Sequence, residues 1–113
     1  MDFTNNPINI EQKHLNLNLE FNPSKLIIGV GLKDKNFQQR RPEVSYNIIP
    51  NPIPPPFDNS ENWISYSARI GSSYYTAKVT NFNKREMTWE KLFVSNDGID
   101  LNYVKIFYII AIE

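Results

Sequence analysis

Asn102-Tyr-Val-Lys-Ile-Phe-Tyr-Ile-Ile-Ala-Ile-Glu113 is the stretch that decides the fold class. Nearly every position is β-branched or aromatic, and there is neither proline nor glycine. Such side chains lose rotamer freedom in a helix and pack well on a pleated surface. On a strand, successive side chains point to opposite faces. The expectation is that Tyr103, Lys105, Phe107, Ile109 and Ala111 share one face. Val104, Ile106, Tyr108, Ile110 and Ile112 share the other. By its end the stretch is apolar on both sides, the pattern of a strand in the middle of a sheet covered on both faces. A short buried helix is the competing reading, and β-branching disfavours it.

Around this strand the chain is short. Its 113 residues suffice for one domain with a single core. Twelve basic and twelve acidic side chains cancel to a formal net charge of zero. A nucleic-acid binder ordinarily carries a basic excess that neutralises phosphates, so no nucleic-acid partner is expected. The absence of cysteine removes disulfides, thiolate metal ligands and thiol nucleophiles. The first residues, Met1-Asp-Phe-Thr-Asn-Asn-Pro7, have no basic and apolar segments of the signal-peptide kind. No apolar run is long enough to cross a bilayer. The expectation is a cytoplasmic or virion-associated protein without membrane insertion.

Residues 1–13 read as a polar N-terminal arm or edge segment, and residues 14–113 as one sandwich domain. His14-Leu-Asn-Leu-Asn-Leu-Glu-Phe21 alternates strictly, with Leu15, Leu17, Leu19 and Phe21 inward. Asn22-Pro23-Ser24 turns the chain. Lys25-Leu-Ile-Ile-Gly-Val-Gly-Leu-Lys33 is the next strand, with Leu26, Ile28, Val30 and Leu32 on its stronger face. Gly29 and Gly31 fall opposite, where another surface can approach closely. Residues 34–62 change character, and five prolines crowd Pro50-Asn-Pro-Ile-Pro-Pro-Pro56. Such a stretch favours polyproline II over a central strand. Val44, Tyr46, Ile48, Ile49, Ile53 and Phe57 make it too apolar for a plain linker, so it is expected to lie on the domain body or on a neighbouring subunit. Strands follow at Trp63–Ile70, Tyr74–Thr80 and Arg85–Val94, with turns at Gly71-Ser-Ser73, Asn81–Lys84 and Asn96-Asp-Gly98. About six strands without a convincing helix make an all-β antiparallel sandwich.

Catalysis finds little support. His14 is the one histidine, on an outward face, and no His/Asp/Glu cluster has metal-ligand spacing. No enzyme activity, metal or cofactor is expected. The aromatic set is more informative: Trp63, Tyr66, Tyr74, Tyr75, Trp89, Tyr103 and Tyr108. Rings with a polar handle suit interfaces and ligand platforms. A sugar stacks its C–H face on such a ring while charged side chains bond its hydroxyls. Tyr75, Phe107 and Tyr108 are assigned instead to the core.

Several of these features recur in order in one family. Leu19-Glu-Phe-Asn-Pro-Ser24 precedes an apolar strand ending in Gly31-Leu-Lys-Asp34. Arg69 precedes Phe82 by thirteen positions, and Thr88-Trp89 follows it. The chain closes with Val104–Ile112. The arrangement resembles the H-type lectin domain of the snail agglutinins and the discoidins. Asn81 stands where the family has a turn glycine, and Tyr108 where it has a tryptophan. The proline-rich stretch 38–62 is an insertion. The resemblance implies a six-stranded antiparallel sandwich, a homotrimer, and binding of galactose or N-acetylgalactosamine-type glycans. It implies that Arg69 bonds sugar hydroxyls, that Trp89 lies beside the ligand and that Glu90 contributes a polar contact. The resulting expectation is a multivalent lectin of the cell-adhesion kind. The alternative is a structural interaction protein of a phage or virus particle, with the proline-rich segment touching other particle proteins.

Overall fold

The computed structural model describes residues 1–3, 5–32, 44–53, 63–67, 74–94 and 104–113. Among these residues eight strands run in chain order: β1 (Ile8–Asn9), β2 (His14–Asn16), β3 (Lys25–Leu32), β4 (Val44–Pro50), β5 (Trp63–Ser67), β6 (Tyr74–Phe82), β7 (Glu86–Val94) and β8 (Val104–Ile112). A single 3-10 turn, Ile10–Gln12, is the only helical element among the described residues. The strands form two four-stranded sheets, β1-β8-β3-β4 and β2-β7-β6-β5, and all pairings are antiparallel.

The all-β expectation holds, with a different inventory of strands. The strand expected over residues 14–21 is assigned only over His14–Asn16, because Asn18 takes a left-handed conformation at φ 53°. Asparagine tolerates that region better than most residues. The chain still tracks its neighbour, since Leu17 N donates to Arg85 O and Leu19 N to Lys84 O. Leu15 and Leu17 are buried as the alternation requires. The larger departure is β4, a regular strand inside the stretch read as polyproline-like. Its prolines sit at the end, at Pro50 and beyond, so the Val44–Ile49 amides are free to pair with β3.

β8 lies between β1 and β3, as a middle strand should. Its strict alternation fails at one point. Val30 pairs with Ile106 and Gly29 with Tyr108, so Phe107 is an extra residue in a β-bulge. The bulge moves the inward set from Val104 and Ile106 to Ile109 and Ala111, leaving Tyr108 and Ile110 on the outer face. Tyr108 is therefore not a core ring, and Phe107, though buried, stands apart from the main core cluster.

Between the sheets, Leu26, Ile28 and Val30 of β3 and Ile106 and Ile109 of β8 meet Ile64, Ala77, Val79, Met87 and Trp89 of the second sheet. Each fully buried aliphatic side chain here contributes about 1.5–3 kcal/mol. The two long sides of the sandwich are closed differently. On one, the chain crosses directly from β1 to β2 through the 3-10 turn, whose Ile10 is fully buried. On the other, the Asn47 side chain of β4 acts as a substitute strand for β5. Its Oδ1 accepts from Ser65 N at 2.9 Å and its Nδ2 donates to Ser65 O at 3.3 Å. The first residues also bridge to β8, with Asp2 opposite Tyr108. Ile109 N donates to Met1 O, the Met1 ammonium donates to Ile109 O, and Phe3 N donates to Phe107 O.

Candidate functional site

With both inner faces occupied by the core, a ligand has the two outer faces and the rims. β7 is where the sequence placed two of its three candidate sugar contacts, and it separates them. Trp89 and Glu90 are neighbours on one strand, so they point to opposite sides of the sheet. Trp89 points inward and is 3% exposed. Its indole Nε1 donates to Ile10 O at 2.7 Å and its backbone N donates to Lys13 O. The ring thereby pins the 3-10 crossing to β7 and is part of the core cluster. Glu90 points outward and is exposed. Arg69, the third candidate, lies outside the described residues, as do Asp34, Gly71–Ser73, Asn96–Gly98, Tyr103 and the stretch 54–62.

The register around Glu90 supplies what Trp89 does not. Lys78 of β6 stands opposite Glu90, and Trp63 of β5 stands opposite Lys78. Directly opposed residues share a face. Glu90, Lys78 and Trp63 thus form one row across the outer surface of the second sheet. Trp63 is 41% exposed. Neither the Lys78 ammonium nor the Glu90 carboxylate takes part in an ion pair among the described residues. The next part of the face is also polar. Thr80 and Thr88 share a hydroxyl–hydroxyl bond of 2.8 Å, and His14 Nε2 meets Glu86 Oε2 at 2.9 Å with both side chains over two-fifths exposed. This face offers an aromatic ring, an ammonium, a carboxylate and hydroxyls on a rigid sheet. Such a set can stack one face of a ring-shaped solute and bond its hydroxyls. Trp63 was visible in the sequence as a ring with a polar handle. Its place in one row with Lys78 and Glu90 was not, because that depends on which residues of three strands stand opposite.

The outer face of the first sheet has the opposite character. Two cross-strand rows run over it, Ile48–Ile27–Ile110 and Tyr46–Gly29–Tyr108. The tyrosine rings meet over the glycine with centroids 5.7 Å apart and a tilt of 46°. The Tyr108 hydroxyl is buried without a hydrogen-bond partner among the described residues. Burial, and secondarily the Tyr46 phenol beside it, push the Tyr108 phenol well above its ordinary pKa.

A further depression lies at the β6–β7 turn, lined by Glu20, Phe21, Asn22, Asn83, Lys84 and Arg85. The Asn83 side-chain Oδ1 there is committed to the turn, accepting from Arg85 N and Glu86 N. Among the described residues no group of three or more His, Asp or Glu side chains is placed to hold a metal ion. No helix in the described residues is long and apolar enough to cross a membrane. No protein-family model, curated protein or solved structure matches this chain.

Proposed function

We propose that this chain is a non-catalytic carbohydrate-binding module on a sandwich of the H-type lectin kind. Its ligand face is the outer surface of the second sheet. The observation that carries the reading is the row Trp63–Lys78–Glu90, with an exposed indole at one end and an exposed carboxylate at the other. In this reading Trp63 is the stacking ring, and Glu90 and Lys78 bond sugar hydroxyls. Trp89 holds β7 in place from beneath and does not touch the ligand. Arg69 remains the guanidinium that the resemblance assigns to the site. The six-stranded H-type form would then be the six longer strands, β3 to β8, with β1 and β2 as short additions before them. The ligand class, galactose or N-acetylgalactosamine-type glycans, comes from the resemblance.

A second reading is an interaction component of a particle that binds no sugar. The apolar outer face of the first sheet favours it, since large exposed apolar patches mark protein contacts.

A glycan array followed by titration calorimetry separates the two. The expected result is binding that Trp63→Ala and Glu90→Gln each weaken at least tenfold with little change in melting temperature. An array without signal for the wild-type protein would refute the carbohydrate reading and leave the second one.

A further inference from the structure

We propose that the outer face of the β1-β8-β3-β4 sheet is a self-association surface, and that its occupant is the same face of a second copy of this chain. The inference does not rest on sugar binding.

The strongest observation is the orientation of β4. Its side chains alternate, and Ser45, Asn47 and Ile49 turn toward the second sheet while Tyr46 and Ile48 turn to solvent. An isolated domain gains nothing by presenting two large apolar side chains in this way. Tyr46 is 71% exposed and Ile48 58%. Across the sheet Ile110 is 47% exposed, and Met1, which lines the same shallow depression as Tyr46, Tyr108 and Ile110, is 44% exposed. Only Trp63 and Leu92 are comparably exposed large hydrophobics elsewhere among the described residues. β8, whose sequence is apolar on both sides, has a core on one side alone. The second cover that its composition calls for is not supplied by the described residues.

Area, charge and shape select the occupant. The apolar residues of this face leave on the order of 500 Å² uncovered, so two copies facing each other would bury about 1,000 Å², the size at which specific interfaces begin. Among the described residues the patch holds one carboxylate, Asp2, which lines the depression opposite Tyr108, and Lys25 and Lys105 lie at its margins. The face carries a shallow depression among the described residues, and a broad sheet face packs well on another. A zero formal charge removes the long-range repulsion that ordinarily opposes like meeting like. A two-fold arrangement satisfies both copies with one set of residues.

The test is light scattering coupled to gel filtration, and sedimentation, on the full chain from micromolar to millimolar concentration. The wild-type protein is expected at a multiple of 13.2 kDa. Ile48→Glu and Ile110→Glu alter exposed residues, so both variants should stay folded by circular dichroism. Each should weaken association by about 30-fold or more, the effect of losing a central contact. Leu92→Glu, on the second sheet, should leave the mass unchanged. A wild-type protein at one subunit mass at every concentration would overturn the proposal, and so would association that survives both first-sheet variants. A monomer that instead binds lipid vesicles through Ile48 and Ile110 would also overturn it, by naming a different occupant.

Discussion

Alanine at position 29 should destabilise the fold, against the usual preference for alanine over glycine in a strand. Gly29 stands between Tyr46 and Tyr108 in one row of the first sheet. A Cβ there would fall 2.3 Å from Tyr108 Cζ, 2.5 Å from Cε1 and 2.8 Å from Cε2. Ordinary contact begins near 3.4 Å, so something must move by about 1 Å. β3 is hydrogen-bonded on both edges, to β4 and β8, and cannot yield easily. The ring must therefore lift, giving up its seat and its contact with Tyr46, itself worth about 0.5–1.5 kcal/mol. Overpacking of this kind costs about 1–3 kcal/mol. Alanine recovers about 0.5–1 kcal/mol through the lower entropy of the unfolded chain. The net loss should be about 1–2 kcal/mol. With Tyr108→Ala in place the obstacle is gone, and Gly29→Ala should then stabilise by up to about 1 kcal/mol. The sign reverses between backgrounds, for a coupling of about 2 kcal/mol. Urea denaturation of the four proteins of this cycle measures it, using tryptophan fluorescence at a concentration where all are monomeric. A neutral or stabilising Gly29→Ala in the wild-type background would refute the packing argument, and so would an equal effect in both backgrounds.

The remaining predictions concern the closures and the phenol. Trp89→Phe keeps most of the buried ring but leaves the Ile10 carbonyl without its 2.7 Å donor, a loss of about 1–3 kcal/mol that denaturation would register; unchanged stability with lost glycan binding would instead put Trp89 at the ligand. Asn47→Ala unpairs both backbone groups of Ser65, so the Ser65 amide should exchange faster with solvent by about fivefold or more, for a loss of about 1 kcal/mol; unchanged protection would mean that the β5 edge is closed by another contact. Tyr108 titrates above its ordinary 10.0 in the folded chain. Its contribution is therefore intact below about pH 10 and falls as pH rises further, because the unfolded phenol ionises first. Tyr108→Phe should flatten that alkaline decline in the urea midpoint, and an unchanged slope would show that other groups cause it.

The features legible in the sequence are those that depend on one strand at a time. Leu15 and Leu17, Leu26 to Val30 and the turn at Asn22–Ser24 follow from local alternation and turn chemistry, and the structure places them accordingly. Even the close approach at Gly29 could be anticipated, since a strand glycine leaves room for a facing surface. What failed depended on pairs of strands. The bulge at Phe107 is invisible in a run with no glycine or proline to mark it, and it turns Tyr108 outward. β4 was obscured because prolines at the end of a segment weigh on the whole segment, although only their own amides are lost. The candidate site divides in the same way. Glu90 could be picked by position, but Trp63 and Lys78 join it only through the β5–β6 and β6–β7 registers. The resemblance implies a place beside the ligand for Trp89, and in the fold its N–H fastens a crossing segment.

The two outer faces together constrain how such a module would work. Inner faces belong to the core, so association through the first sheet necessarily points each second sheet away from the contact. Two copies joined face to face would hold their Trp63–Glu90 rows on opposite sides of the assembly. Such a pair cannot place both sites on one flat surface, so it gains no avidity there, whereas it can bridge two surfaces. Three copies with their first sheets around a common axis would instead display the rows outward around a rim. The assembly and ligand proposals therefore meet in one observable. A pair predicts cross-linking of glycan-bearing particles with single-site affinity for each particle, and Ile48→Glu should abolish the cross-linking while leaving monovalent sugar binding intact. If both properties vanish together in that variant, the sugar site needs a neighbouring subunit, and the Trp63–Lys78–Glu90 row is only part of it.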